Sequence, residues 1–540
     1  MVNDSNNRIV NDRTHLLRDE VLWAILGISS ILLVFVAVEP FGSDNAVLHS
    51  MALDFVKFGK VPYIGSWDNN FPGIIYVHAL SILLFGPSDL GYRLFDIGIE
   101  LLFAGFFYRF LLRWLKPHTA ALAAVLYIAY YVSASVDLYG KQDAYGMMAV
   151  LVGASFVLAR VTGDVRKWNA LIVAGIISGI SLLMRPTFLL YIGLLALYIL
   201  WIAERRFSIS SLSKAFVFVA SSLIPVLCVV AYYASIPGGL EALYHSVIRF
   251  NLDVYTRLGT TSKFWWELIR TGLMIPFAIY ALFPSKGTPS YISRVPERRE
   301  KLLYILFVAS TLAIVVLMGK YYRYHLAPFF MLIIPLSAVG LERAIAHVRT
   351  ELRRHGAILA CIFLCSFIAY NPTAPLAFSL GILTHSDPFA QTDAARRPDT
   401  LFGAKPELAL RRYLNQPENR DGAIEICSFA PFLRYHLQLQ RPIAGPYITF
   451  HALAFRTDAR RIGPPHYTDY QRKWQSDYMN TLRSVQPHFI ILARRLSFWY
   501  IQDIYDDCLH YLPGFDSLLV ASYHYDTTFG GFQVYRKIAH

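Results

Sequence analysis

Five stretches that separate apolar runs hold the side chains able to do chemistry. The first runs from Glu39 past Asp44 and Asp54 to Asp68. The second, SVDLYGKQDAYG, carries Asp137, Lys141 and Asp143. Arg185 stands in MRPT, Tyr255 in FNLDVYTRLG, and Lys320, Arg323 and His325 in GKYYRYHLAP. A carboxylate in water can take a proton from an attacking hydroxyl, which suits Asp44, with Asp143 as a second carboxylate. Arginine grips phosphate oxygens in pairs and lysine attracts them as a point charge, so Lys320 and Arg323, with His325, form a cationic locus. Tyr321, Tyr322 and Tyr324 beside them suit a membrane interface or the face of a sugar. A lipid phosphate with a sugar head group matches both loci, and Asp68, Asp137, Lys141, Arg185 and Tyr255 are candidates to touch it.

Each residue also has a plainer reading. Asp44 suits the N-cap of a helix starting at Asn45, and Asp143 suits the N-cap of the span that follows it. Asp68 fits a turn in SWDNNFPG. Lys320, Arg323 and His325 fit simple anchors at an interface. Asp96 and Glu100 lie on one helical face inside an apolar run and read as a buried polar pair, because a carboxylate facing lipid is costly.

The elements that must position these residues are membrane helices. The chain has 540 residues, of which 55% are hydrophobic and 16% charged, and its mean hydropathy is +0.41. Charge-free windows such as 21–38, 119–136, 186–203, 215–235 and 302–319 are long enough to cross a bilayer as helices. We expect about eleven spans, at 21–38, 93–112, 119–136, 143–160, 168–184, 186–203, 214–235, 268–284, 302–319, 325–341 and 356–372. The run 72–86 is too short to span and reads as an interfacial or re-entrant helix. With that choice every loop assigned to the inside is basic, from Arg8, Arg13 and Arg18 through to Arg343, Arg349, Arg353 and Arg354. The net charge of +13 is therefore a topology signal rather than a sign of nucleic-acid binding. The first run lacks a cleavage site and reads as a retained anchor.

This topology places the N-terminus in the cytoplasm and the candidate loops outside. A membrane module covers 1–385, and 386–540 forms an extracytoplasmic, periplasmic α/β domain. Within it, 422–429 reads as a strand, 481–495 as a helix end, a proline turn and a strand, and 518–537 as a hairpin around Gly530-Gly531. The tail shows no glycine-rich phosphate loop, zinc spacing or nucleophile elbow, and reads as a cap or recognition domain. Cys427 and Cys508 lie in this tail, where an oxidising compartment allows a disulfide.

The order of these features resembles the GT-C superfamily of membrane glycosyltransferases. It comprises an outer-loop Asp, FGKVPY, NNFPG, LLFG, a later loop Asp, RP after the fifth span, and YYRYHLAPFFMLIIP. The nearest look is the bacterial branch related to protein O-mannosyltransferases and the lipid A aminoarabinose transferases. The resemblance covers most of 20–345. It implies an α-helical polytopic GT-C fold in the inner (plasma) membrane and a place in cell envelope biogenesis. It also implies inverting transfer of a hexose or pentose from a polyprenyl-phosphate donor to a lipid, polysaccharide or protein acceptor on the outer face. Asp44 matches the essential first-loop Asp, and Asp143 the second-loop carboxylate, with Asp137 competing for that place. Lys320, Arg323 and His325 match the region that meets the donor phosphate. NNFPG matches a Pro-containing re-entrant segment, yet Asn69 and Asn70 stand where the family often has Lys or Glu. The usual Asp-Glu pair is Asp44-Asn45 here, so donor type and a divalent metal (Mg or Mn on Asp44 and Asp143) stay open. The alternative is a transporter or flippase, which would place polar residues in broken helices near the membrane mid-plane.

Overall fold

The computed structural model describes residues 20–34, 36–37, 41–133, 139–161, 168–202, 208–257, 274–283, 291–351, 404–429, 431–439, 441–456, 466–494 and 501–539. In chain order its main helices begin with α1 (Glu20–Val34), α2 (Ser43–Phe58), α3 (Pro72–Phe85), α4 (Asp89–Leu111), α5 (Pro117–Ser133) and α6 (Gln142–Val161). Next come α7 (Trp168–Met184), α8 (Leu189–Leu197), α9 (Ile209–Ala234), α10 (Met274–Leu282), α11 (Arg298–Met318) and α12 (Ala327–Glu351). The last are α13 (Ala404–Leu414), α14 (Pro431–Gln438), α15 (Asp469–Val485) and α16 (Phe515–Ser522). The strands are β1 (Ile424–Cys427), β2 (Phe489–Ala493), β3 (Tyr523–Phe529) and β4 (Phe532–Lys537).

These elements form two compact units. One comprises 1–39, 93–228 and 260–380; the other comprises 40–92, 229–259 and 381–540.

The first unit is helical. Among the described residues of the whole chain, Gln142–Ala159, Ile209–Ala234, Arg298–Met318 and Tyr324–Ala346 are long and apolar enough to cross a membrane. Other expected spans appear as shorter apolar helices, including Pro117–Val132 and Trp168–Met184. The expected span 356–372 lies outside the described residues, and 268–284 is described only from 274 to 283. Small residues let the helices close up, as they do where no hydrophobic drive separates lipid from protein. A Cβ on Gly175 would lie 2.5 Å from the Phe218 carbonyl oxygen, and one on Gly179 would strike the Ser222 backbone. Asp96 and Glu100 face inward and are fully buried, as their shared helical face implies. Tyr131 and Tyr145 donate to the two oxygens of Asp96, each at 2.6 Å, and Tyr127 donates to Glu100 at 2.7 Å.

The second unit contains a four-stranded sheet in the order β1-β2-β4-β3. β1 and β2 run parallel, with Ile424 opposite Phe489, and β4 runs antiparallel to both β2 and β3. The strands β1 and β2 are buried throughout; β2 is a continuous apolar run, whereas β1 also buries Glu425, which accepts from Tyr478 Oη at 3.0 Å. The hairpin turns at Gly530, whose φ of +57° favours glycine. Its first strand starts later than the hydropathy of 518–522 suggests, because Phe515–Ser522 is helical. α15 begins with a capping box in which Thr468 and Gln471 satisfy each other's backbone N–H groups. Cys427, at the end of β1, and Cys508 are buried free thiols in the unit's apolar core.

The segment around α2 belongs to this unit and is tied to its C-terminal part. Gln438 Nε2 donates to the Ser50 carbonyl at 3.0 Å, Lys60 Nζ to that of Ile443 at 3.1 Å, and the Trp67 N–H to that of Pro446 at 2.8 Å. Arg434, 1% exposed, donates to the carbonyls of Tyr447 and Gly445 at 3.1 and 2.9 Å. It also faces Asp54 Oδ2 at 3.8 Å, while Lys60 Nζ faces Oδ1 at 3.4 Å. Removing one member of a buried ion network leaves the others charged and unsolvated. Arg434→Ala is therefore expected to destabilise the unit by about 3–5 kcal/mol. Thermal unfolding of the solubilised protein, followed by limited proteolysis of 404–540, checks this; an unchanged midpoint would refute it.

Candidate active site

In the first unit, breaks in the helices set the geometry. α7 stops at Met184 because Arg185 precedes Pro186 and is forced into extended backbone, φ −157° and ψ 139°. α11 ends at Gly319, whose φ of +59° reverses the chain into GKYYRYHL. Tyr139 and Gly140 form a turn, with Gly140 at φ +63°, and α6 follows it.

These breaks bring together Lys141, Asp143, Arg185, Lys320 and His325. Arg185 Nε lies 3.1 Å from Asp143 Oδ2. Its Nη2 lies 3.1 Å from His325 Nε2, and its Nη1 lies 3.8 Å from Met318 Sδ. His325 Nδ1 meets the Lys320 carbonyl oxygen. A guanidinium can only donate and a carbonyl can only accept, so His325 carries its proton on Nδ1 and accepts at Nε2. Lys141 Nζ sits 5.1 Å from the Tyr324 ring centroid and the Arg185 guanidinium sits 5.8 Å from it, both within cation–π range. Tyr322 stacks on Tyr324 at 5.6 Å. Lys141, Asp143, Lys320 and His325 are all buried. Burial also holds the Lys320 ammonium down to about 8. The backbone of Arg323 lies in the 3-10 turn Arg323–Leu326, and its side chain lies outside the described residues, as does Asp137.

Asp143 does not act as an N-cap: α6 starts at Gln142, and the Asp143 side chain pairs with Arg185.

The second unit holds Asp44, Asp68 and Tyr255. α2 begins at Ser43 with Gly42 as its N-cap, so Asp44 lies in the first turn rather than at the cap. There its charge is favoured by the positive end of the helix dipole. Asp68 Oδ1 accepts from the Asn70 N–H and from Asn70 Nδ2, each at 2.7 Å, which is a side-chain-built turn. Burial pushes the Asp68 carboxyl up to about 6; the Asn70 hydrogen bonds oppose this, and the charge of Asp44 adds to it. The turn reading of Asp68 thus describes its contacts. Asn69 Nδ2 donates to Asn251 Oδ1 at 2.8 Å, tying NNFPG to the segment before Tyr255. Tyr255 itself packs against the unit's apolar core.

His451 is a residue of this region that sequence reasoning missed. Burial holds its imidazole down to about 3, against the pull of the Asp44 charge. Its Nδ1 lies 2.8 Å from Thr449 Oγ1. A lone His in ITFHALAF carries no spacing signal, and its proximity to Asp44 arises only on folding. A second buried pair, His49 and His78, meets Nδ1 to Nδ1 at 3.2 Å among Phe41, Tyr92 and Tyr435.

Residues 68–232 match the family model described as dolichyl-phosphate-mannose-protein mannosyltransferase. The crystal structure of ArnT from Cupriavidus metallidurans in the apo state is similar, with a TM-score of 0.56 at 14% identity, over 96% of this chain and 97% of that one. The same protein bound to undecaprenyl phosphate gives 0.51 at 15% identity, over 96% and 98%. No curated protein sequence matches the chain. The chain thus shares the fold of ArnT, and over 68–232 its sequence is similar to the mannosyltransferase family.

Proposed function

We propose that this protein is a GT-C glycosyltransferase that moves a hexose or pentose, with inversion, from a polyprenyl-phosphate donor to a lipid, polysaccharide or protein acceptor on the outer face of the inner membrane. The observation that carries the reading is the convergence of buried Lys141, Asp143, Lys320 and His325 on the half-buried Arg185 and Tyr324. Cations held in a water-poor site stabilise a phosphate as charge develops on it. In the proposed step, the acceptor oxygen bonds to the anomeric carbon from the face opposite the phosphate. The bond from that carbon to the phosphate oxygen breaks, its electron pair stays on the phosphate, and the acceptor's proton passes to Asp44. Arg185 and Lys320 hold the phosphate with Arg323, and Asp143 keeps Arg185 oriented. Asp68, Asp137, Lys141 and Tyr255 are proposed to line the sugar or acceptor path.

The proposed topology has about eleven spans, a cytoplasmic N-terminus, a membrane module over 1–385 and an extracytoplasmic region over 386–540. It is supported by the composition of the second unit: 40–92, 229–259 and 381–540 are largely segments that charge placement assigns to the outside. A divalent ion, Mg or Mn, would compete with Arg185 for the Asp143 carboxylate.

The test is purified protein in detergent with a polyprenyl-phosphate sugar and no ion gradient. Release of polyprenyl phosphate with loss of the donor is expected. Movement of intact lipid-linked sugar across vesicles without cleavage would overturn the reading in favour of a transporter. The pH dependence follows from Lys320. Its ammonium is cationic below about 8 and loses its charge above it. Polyprenyl-phosphate affinity is thus expected to fall as pH rises through about 8. Lys320→Arg stays cationic and should flatten that fall; an identical profile in the variant would count against phosphate binding by Lys320.

A further inference from the structure

We propose that Asp96 is a positioning residue that holds Lys141 and Asp143 in place through two tyrosine hydroxyls, an inference that rests on the glycosyl-transfer reading above. The segment 140–145 carries both residues, and each of its ends hangs from the same carboxylate. At one end, the Gly140 N–H donates to Tyr131 Oη at 2.8 Å, and Tyr131 Oη donates to Asp96 Oδ2 at 2.6 Å. At the other, Tyr145 Oη donates to Asp96 Oδ1 at 2.6 Å. Tyr145 lies two residues beyond Asp143, and Gly140 directly precedes Lys141.

The turn between them needs external support. Gly140 has a φ of +63°, a left-handed conformation. Tyr139 adds a hydrogen bond to the Val132 carbonyl at 2.6 Å, and Arg93 sits 5.3 Å from its ring centroid. Asp96, Arg93 and Tyr131 are all buried. Water therefore offers little replacement when one of these bonds is lost, and hydrogen bonds to a charged acceptor are the stronger kind. A buried carboxylate on α4 that served only to join helices would have no reason to reach the backbone of this turn. Through Tyr131 it fixes the turn, and through Tyr145 it fixes the first turn of α6, where Asp143 meets Arg185.

Tyr131→Phe and Tyr145→Phe test this while keeping both the ring packing and the buried Asp96 carboxylate. Tyr304→Phe is the control, since Tyr304 Oη donates to the Leu332 carbonyl at 2.7 Å elsewhere in the same unit. The readouts are hydrogen–deuterium exchange of the peptide spanning 139–146, binding of undecaprenyl phosphate, and the melting midpoint. We expect faster local exchange and about tenfold weaker binding in each of the first two variants, larger than any change the control shows for a comparable drop in midpoint. Unchanged exchange at 139–146, or an equal rise in all three proteins, overturns the proposal. Faster exchange with wild-type affinity also overturns it. If exchange rises locally but undecaprenyl phosphate binds no protein, wild type included, the positioning stands and the glycosyl-transfer reading falls.

Discussion

Asp44→Asn is expected to reduce sugar transfer by about 10²–10⁴-fold, the range that a positioned general base supplies, while the protein still folds and inserts. The amide keeps the shape of the carboxylate but cannot take the acceptor's proton. Asp44 is in the first turn of α2, with Gly42 in the capping position. Losing its charge at the positive end of the helix costs about 0.3–1 kcal/mol. Donor binding should persist, since the proposed phosphate ligands lie in the other unit. In cells, the variant should accumulate one polyprenyl-phosphate sugar, and its mass would name the donor. Full turnover by Asp44→Asn, at equal expression, would sink Asp44 as base. A loss of turnover matched by loss of folded protein would make it structural.

Local patterns were legible in the sequence because they depend on neighbours a few residues apart. Charge-free windows marked helices such as α9 and α11. The fourteen-residue length of α3, the strands β1 and β2 and the Gly530 turn also follow from local composition. The shared face of Asp96 and Glu100 correctly implied burial. Partnerships across the chain were not legible. Asp143 and Arg185 were each singled out, but nothing in SVDLYGKQDAYG or MRPT says that they pair. Arg434 looked like any basic residue of a soluble tail, and its burial against Asp54 depends on a contact 380 positions away. His451 gave no signal at all. Asp68 shows the opposite limit: both its turn and its substrate-binding readings were available, and only its two bonds from Asn70 show which contacts it makes. Side chains whose role is set by tertiary neighbours stay ambiguous until the neighbours are known.

Arg185→Ala is expected to remove donor binding and to destabilise the first unit by about 3–5 kcal/mol, the cost of breaking a buried ion pair from one side. One guanidinium links the start of α6 through Asp143, the end of α11 through Met318, and the 3-10 turn through His325. Without it, Asp143 keeps a buried carboxylate and loses its partner at 3.1 Å, and His325 loses its donor. Arg185→Lys separates charge from geometry. A lysine restores one positive charge but has no planar fork with which to contact a carboxylate, an imidazole and a phosphate at once. It should therefore recover much of the melting midpoint and little of the undecaprenyl-phosphate affinity. If lysine recovered both, Arg185 would act as a point charge, and the shape of the cationic locus would not matter to the donor. If alanine left both at wild-type levels, the convergence of Lys141, Asp143, Lys320 and His325 around Arg185 would be a packing feature, and the donor phosphate would have to bind elsewhere.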